Sequence, residues 1–178
     1  MEGGDISRPA ALLIDATHLV VAVSAGPTLY EVDAADGTIL WSATPSRAGL
    51  TGPVVDARGI VLQGAILVGD TAGALFAIDP VLGTFTQLEG IAGELTAPPS
   101  DGGSGPIDVV EGDDKGTILG FDTTDGFGPP VWQTDVAGPV HGPPAMANGV
   151  VYVGTVPARG DPWLYALDDA TGRTSCFG

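Results

Sequence analysis

Leu29-Tyr30-Glu31-Val32-Asp33, a short apolar run closed by an aspartate, recurs as Leu75-Phe76-Ala77-Ile78-Asp79, Ile118-Leu119-Gly120-Phe121-Asp122 and Leu164-Tyr165-Ala166-Leu167-Asp168. A glycine stands four residues after each aspartate, at Gly37, Gly83, Gly126 and Gly172. The steps between aspartates are 46, 43 and 46 residues. Pro9, Pro53, Pro98 and Pro143 keep the same beat, with steps of 44, 45 and 45. Two markers in phase define a tandem repeat. A period of this length that encodes only strands and turns predicts an all-β propeller of four-stranded antiparallel blades.

The fourth repeat shows the plan. Its first strand follows Pro143, because proline is tolerated only at a strand start or edge. Asn148-Gly149 supplies a two-residue hairpin turn, both residues accepting positive φ. Val150–Val153 and Trp163–Leu167 form the next two strands, and a fourth begins at Arg173. The same order covers the rest of the chain and divides residues 1–178 into blades at about 7–45, 51–90, 96–137 and 141–178. The first strand of repeat three, Pro98-Pro99-Ser100-Asp101 before Gly102-Gly103-Ser104-Gly105, is the weakest element. Most strands are apolar at nearly every position rather than alternating, as expected of a sheet covered on both faces.

Composition narrows function. The 22 acidic and 6 basic residues give a net charge of −16, which repels nucleic acid and anionic membranes. Neither is expected as a partner, and no run approaches the ~18–20 apolar residues of a membrane-spanning helix. Cys176 is the single cysteine, so no disulfide forms within the chain. Met1–Asp5 has neither a basic nor an apolar leader region, so no signal peptide is expected here.

The repeat resembles the tryptophan-docking motif of the pyrroloquinoline-quinone (PQQ) propeller superfamily, Ala-x-Asp-x-x-Thr-Gly-x-x-x-Trp. Repeat one matches with Asp33, Gly37 and Trp41, carrying Glu31 where alanine is expected. Repeat two has Ala77, Asp79 and Gly83, with Gln87 in the tryptophan place. Repeat three has Gly120, Asp122 and Gly126, and its Trp132 comes two residues late. Repeat four has Ala166, Asp168, Thr171 and Gly172, with Cys176 in the tryptophan place. Physically, the carboxylate caps backbone N–H groups of its own turn, glycine takes the positive φ, and the small residue leaves room for a neighbouring blade's ring. Junctions without tryptophan should be weaker by about 3–5 kcal/mol unless repacked. These residues read as structural.

The resemblance implies either a non-enzymatic repeat module that binds protein or, alternatively, part of a quinoprotein dehydrogenase holding PQQ and Ca²⁺. It also favours an extracytoplasmic place. The single cysteine excludes the vicinal pair that such dehydrogenases often carry. Glu111-Gly112-Asp113-Asp114 and Asp168-Asp169 are the candidate cation ligands, but a hard cation needs six or more converging oxygens. No catalytic residue, cofactor or metal is therefore assigned. Ser7, Thr51, Thr96 and His141 precede the phased prolines and should form a rim near the axis, which would serve a third reading, a small-ligand sensor. The leading expectation is a protein-binding scaffold that uses loops such as 127–130 and 157–162. Four blades form either a closed ring or an open arc, and an open arc should self-associate through its exposed end faces.

Overall fold

The computed structural model describes residues 10–13, 19–56, 65–90, 93–102, 107, 109–123, 128–156 and 163–174. Among them every element is a strand. The first sheet runs β1 (Ala10–Leu13), β2 (Leu19–Ala25), β3 (Thr28–Asp33) and β4 (Ile39–Ala43), in that order. The second holds β5 (Val54–Asp56), β6 (Ala65–Gly69), β7 (Ala74–Ile78) and β8 (Phe85–Gly90). The third holds β9 (Ser100–Asp101), β10 (Val109–Gly112), β11 (Thr117–Phe121) and β12 (Trp132–Asp135). The fourth has three strands, β13 (Ala145–Ala147), β14 (Val150–Gly154) and β15 (Leu164–Asp168). Neighbouring strands in all four pair antiparallel, as consecutive hairpins require.

One expectation is corrected here. Among the described residues the fourth sheet has three strands rather than four: beyond β15 a single bridge, Leu167 to Thr174, is made. Residues 175–178, including Cys176, lie outside the described residues. The weak first strand of repeat three survives as a two-residue β9, since two prolines before it remove ladder donors. At Asn148 and Gly149 φ is 53° and 77°, so both centres of the β13–β14 hairpin are left-handed, as its two-residue turn demands.

Successive sheets pack face to face. Leu29 meets Ile66, Val68, Phe76 and Ile78 between the first and second sheets. Leu67, Leu75, Leu88 and Leu95 meet Val109, Leu119 and Phe121 between the second and third. Val110, Ile118 and Trp132 meet Val151, Val153 and Leu167 between the third and fourth. The central strands β6 and β10 are buried at every position, so each is covered by a neighbour on both faces. By contrast β14 alternates, burying Val151 and Val153 while exposing Tyr152 and Gly154. Nothing stacks on its second face among the described residues.

The motif corners share one geometry. Asp33, Asp79 and Asp168 each donate N–H to the residue five places on and accept from the glycine four places on, at 2.8–2.9 Å. Oδ1 of each aspartate accepts a backbone N–H of its own turn, from Ala35, from Val81 and Leu82, and from Thr171. Gly37, Gly83 and Gly172 have φ of 79°, 66° and 67°. Asp122 is exposed, and Gly126 lies outside the described residues.

Tryptophan ties consecutive corners together. Trp41 Nε1 donates to Pro80 O at 3.0 Å, and Trp132 Nε1 to Asp169 O at 2.7 Å, so each indole satisfies its N–H on the residue after the next sheet's motif aspartate. A Cβ on Gly83 would lie 2.9 Å from Trp41 Cδ2, and one on Gly172 would lie 2.6 Å from Trp132 Cε3. The late arrival of Trp132 in sequence does not alter its docking. The reading of the small residue does change: Gly120 sits opposite Trp132 within its own sheet, and a Cβ there would come 2.3 Å from Trp132 Cε2. The room is made for the sheet's own ring, which then reaches onward. Between the second and third sheets, where Gln87 replaces tryptophan, Gln87 is exposed and the aliphatic set with Phe121 fills the junction.

Glu111, like Glu31 in the first sheet, is an acidic side chain buried in a core strand. It is fully buried in the strand that otherwise carries valines, its Oε1 accepts only the Gly112 N–H at 2.9 Å, and Oε2 has no partner. Loss of solvent, followed by the nearby Asp113 charge, pushes its carboxyl well above the ordinary value of 4.5 against the opposing Gly112 hydrogen bond.

Two measurements test this frame. Gly37→Ala should cost roughly 1–2 kcal/mol of left-handed strain, Gly83→Ala measurably more because of Trp41, and Trp132→Ala about 3–5 kcal/mol, all read from urea unfolding. Equal losses for the two glycines would show that the indole does not press on the corner. For Glu111 the folded chain keeps a proton that the unfolded chain releases, so its contribution falls as pH climbs past 4.5. Glu111→Gln should therefore unfold at a higher temperature than the parent at pH 7, with the gap closing toward pH 4.

Candidate functional site

The first strands of successive sheets converge, β1 beside β5, β5 beside β9 and β9 beside β13. Proline opens each of these strands in sequence, and those of the second, third and fourth repeats collect where the strands meet. A cavity of about 400 Å³ lies there, walled by Pro53, Pro98, Pro99, Pro143 and Pro144 with Met146 as its most flexible wall. Proline's fixed φ and missing donor explain the wall: the chain is held extended and presents ring carbons instead of N–H groups. The polar member, Ser100, donates its hydroxyl to the Pro144 carbonyl and so ties the third sheet to the fourth. Among the described residues no charged side chain lines the cavity, and none of the motif residues does.

Three of the four expected rim residues lie among the described residues. Ser7 lies outside the described residues. Thr51 is buried at the corner between the first two sheets: its Oγ1 accepts Gly69 N–H at 3.0 Å, and its carbonyl accepts the Ser24 hydroxyl at 2.7 Å. Thr96 and His141 do meet, with Thr96 Oγ1 3.1 Å from His141 Nδ1. The Thr96 hydroxyl also lies within donating distance of Val140 O, at 3.3 Å. His141 is exposed beside Gly142 and Pro143, at the edge of the proline wall.

The acidic candidates are engaged in turns. Asp113 Oδ1 accepts Lys115 N–H and Thr117 N–H at 3.0 and 2.7 Å, and Asp114 Oδ1 accepts Glu94 N–H at 2.8 Å. Asp168 Oδ1 holds the Thr171 hydroxyl at 2.7 Å. Among the described residues no group of three His, Cys, Asp or Glu side chains could hold a metal ion. PQQ bears three carboxylates and requires cationic or metal partners, so the uncharged proline cavity does not fit it. At the surface, the Thr38 side chain and N–H hold Asp36 below the usual carboxylate range.

A second set of turn carboxylates escaped the reading of the sequence. Asp70 Oδ1 accepts Ala72 and Ala74 N–H at 2.9 and 2.8 Å, as Asp113 does one repeat later. The signal was present: Gly69-Asp70-x-x-Gly73 and Gly112-Asp113-x-x-Gly116 lie 43 residues apart, the step that also separates Asp79 from Asp122.

Comparison with known proteins agrees with this architecture. The family model described as outer membrane protein assembly factor BamB matches residues 8–87 and again 86–175. The outer membrane protein assembly factor BamB of Nitrosomonas eutropha (strain DSM 101675 / C91 / Nm57) is 30% identical over 174 residues, covering 88% of this chain and 37% of that protein. The chain thus spans little more than a third of that relative's length. The crystal structure of BamB from Moraxella catarrhalis superposes with a TM-score of 0.71 at 21% identity, over 96% of this chain and 49% of that one. Saccharomyces cerevisiae Sqt1 superposes with a TM-score of 0.77 at 14% identity, over 97% and 48%. These two likenesses establish the propeller fold, and the two family matches, each spanning two sheets, carry the lineage: the chain belongs to the PQQ-repeat family described as outer membrane protein assembly factor BamB.

Proposed function

We propose that this chain is a non-enzymatic, protein-binding propeller module that acts outside the cytoplasm in the assembly of outer membrane proteins, and that the proline-walled cavity grips its partner. The observation that carries this reading is the cavity itself, about 400 Å³, apolar and without a charged side chain. Such a wall rewards burial of an apolar side chain. Among the described residues its one hydroxyl, Ser100, is engaged with the Pro144 carbonyl. The bound segment would be extended and apolar, with a basic flank favoured by the chain's net charge of −16. The loop at 157–162 is outside the described residues, while Gly128–Pro130 is at least partly exposed at the third repeat.

Calorimetry with extended apolar peptides, with and without basic flanks, should detect binding that Met146→Glu weakens at least tenfold while the unfolding temperature stays near the parent's. Peptides that bind the parent and the variant equally would remove the cavity from the reading. Heat on adding PQQ with Ca²⁺, in place of peptide, would substitute the quinoprotein reading. Heat on adding sugars or small organic acids, lost in His141→Ala, would substitute the small-ligand sensor.

A further inference from the structure

The position that opens the third strand's motif faces the following sheet. In the first three sheets it is filled by Leu29, Leu75 and Ile118, all buried against the next sheet. In the fourth sheet the same position is Leu164, and it is 63% exposed. The central strand repeats the contrast, with Leu67 and Val110 buried and their counterpart Tyr152 37% exposed. The fourth sheet therefore presents, uncovered, the face that every earlier sheet buries.

The first sheet presents the complementary half. Phe76 and Leu119 face the preceding sheet and are buried there; their counterpart Tyr30 is only partly buried, as is Val32. The corner at Gly37 has the backbone bonds of the Gly83 and Gly172 corners, yet nothing lies within 4 Å of where its Cβ would be, whereas an indole covers the other two. Among the described residues no contact comparable to β9 with β13 returns from β13 to β1. Among the described residues the first and fourth sheets each present a less covered face, and the two faces are complementary.

From this we infer that two copies of this chain pair end to end, the fourth sheet of each stacking on the first sheet of the other, to close one ring of eight sheets. Three features select a second copy as the occupant. The two open faces are the two halves of a junction that the chain already builds three times. Tryptophan docking alternates, present at Trp41 and Trp132 and absent at Gln87 and Cys176, so the joint between copies belongs with the tryptophan-free joint between the second and third sheets, which closes well. The run of sheets also has the curvature of half of a longer propeller, since it superposes on 48% and 49% of two such chains, and two such runs would span one of them. A two-fold axis makes both joints equivalent and leaves no end free to propagate.

Light scattering on the purified chain should give twice its 17.8 kDa at micromolar concentration. Added salt should favour the pair, because two strongly negative chains approach. Leu164→Asp and, independently, Tyr152→Asp should give monomers with the parent's far-UV circular dichroism. On a Cys176→Ser background, a mixture of Tyr30→Cys and Leu164→Cys chains should be joined by a short bismaleimide. A parent that stays monomeric at high micromolar concentration overturns the pairing. So does growth into ever larger species, which would mean open chaining. Crosslinking within one chain of a Tyr30→Cys, Leu164→Cys double variant, without a dimer, would mean a ring of four sheets closed on itself.

Discussion

A sheet that is apolar on both faces is stable only between two neighbours, and that constraint organises this molecule. Each central strand sends alternate side chains to opposite junctions: Ile66 and Val68 backward, Leu67 forward; Val109 backward, Val110 forward. Burying a leucine or valine side chain is worth ~1.5–3 kcal/mol, and each junction buries several. The cross-sheet packing therefore outweighs anything the hairpins supply alone, since an isolated hairpin is marginal at best. The order of the sheets follows from the order of the chain because each junction forms between consecutive repeats.

The corners set the spacing at which those faces meet. A left-handed glycine and an aspartate that caps its own turn make a rigid platform, and an indole placed on it fixes the next sheet through one hydrogen bond and one stacked face. Two of the three internal junctions use this device. The third does without it and carries the buried Glu111, whose uncharged form the surroundings favour. Buried acidic side chains occur at both kinds of junction, Glu31 opposite Trp41 in the first sheet and Glu111 where the tryptophan is missing.

Function follows from the same economy of parts. The prolines that begin the first strands are kept away from ladder positions, and their rings make the apolar wall where the strands converge. Charge is carried elsewhere, on turns where carboxylates cap backbone. A site of this kind selects by shape and burial. The proposed polypeptide-holding role draws on that chemistry.

Much of this was legible in the residues alone. The spacing of Asp33, Asp79, Asp122 and Asp168 gave the number of sheets, and the Asn148-Gly149 pair gave a hairpin turn, because both rest on local backbone preferences that sequence encodes directly. Other features depended on which surfaces meet. The ring over Gly120 comes from its own sheet, Thr51 turns to Gly69 while Thr96 finds His141, and Leu164 is exposed although Leu75, in the same place one sheet pair earlier, is buried. The same residue at the same motif position has opposite burial at those two places, because burial belongs to the neighbouring sheet and not to the residue.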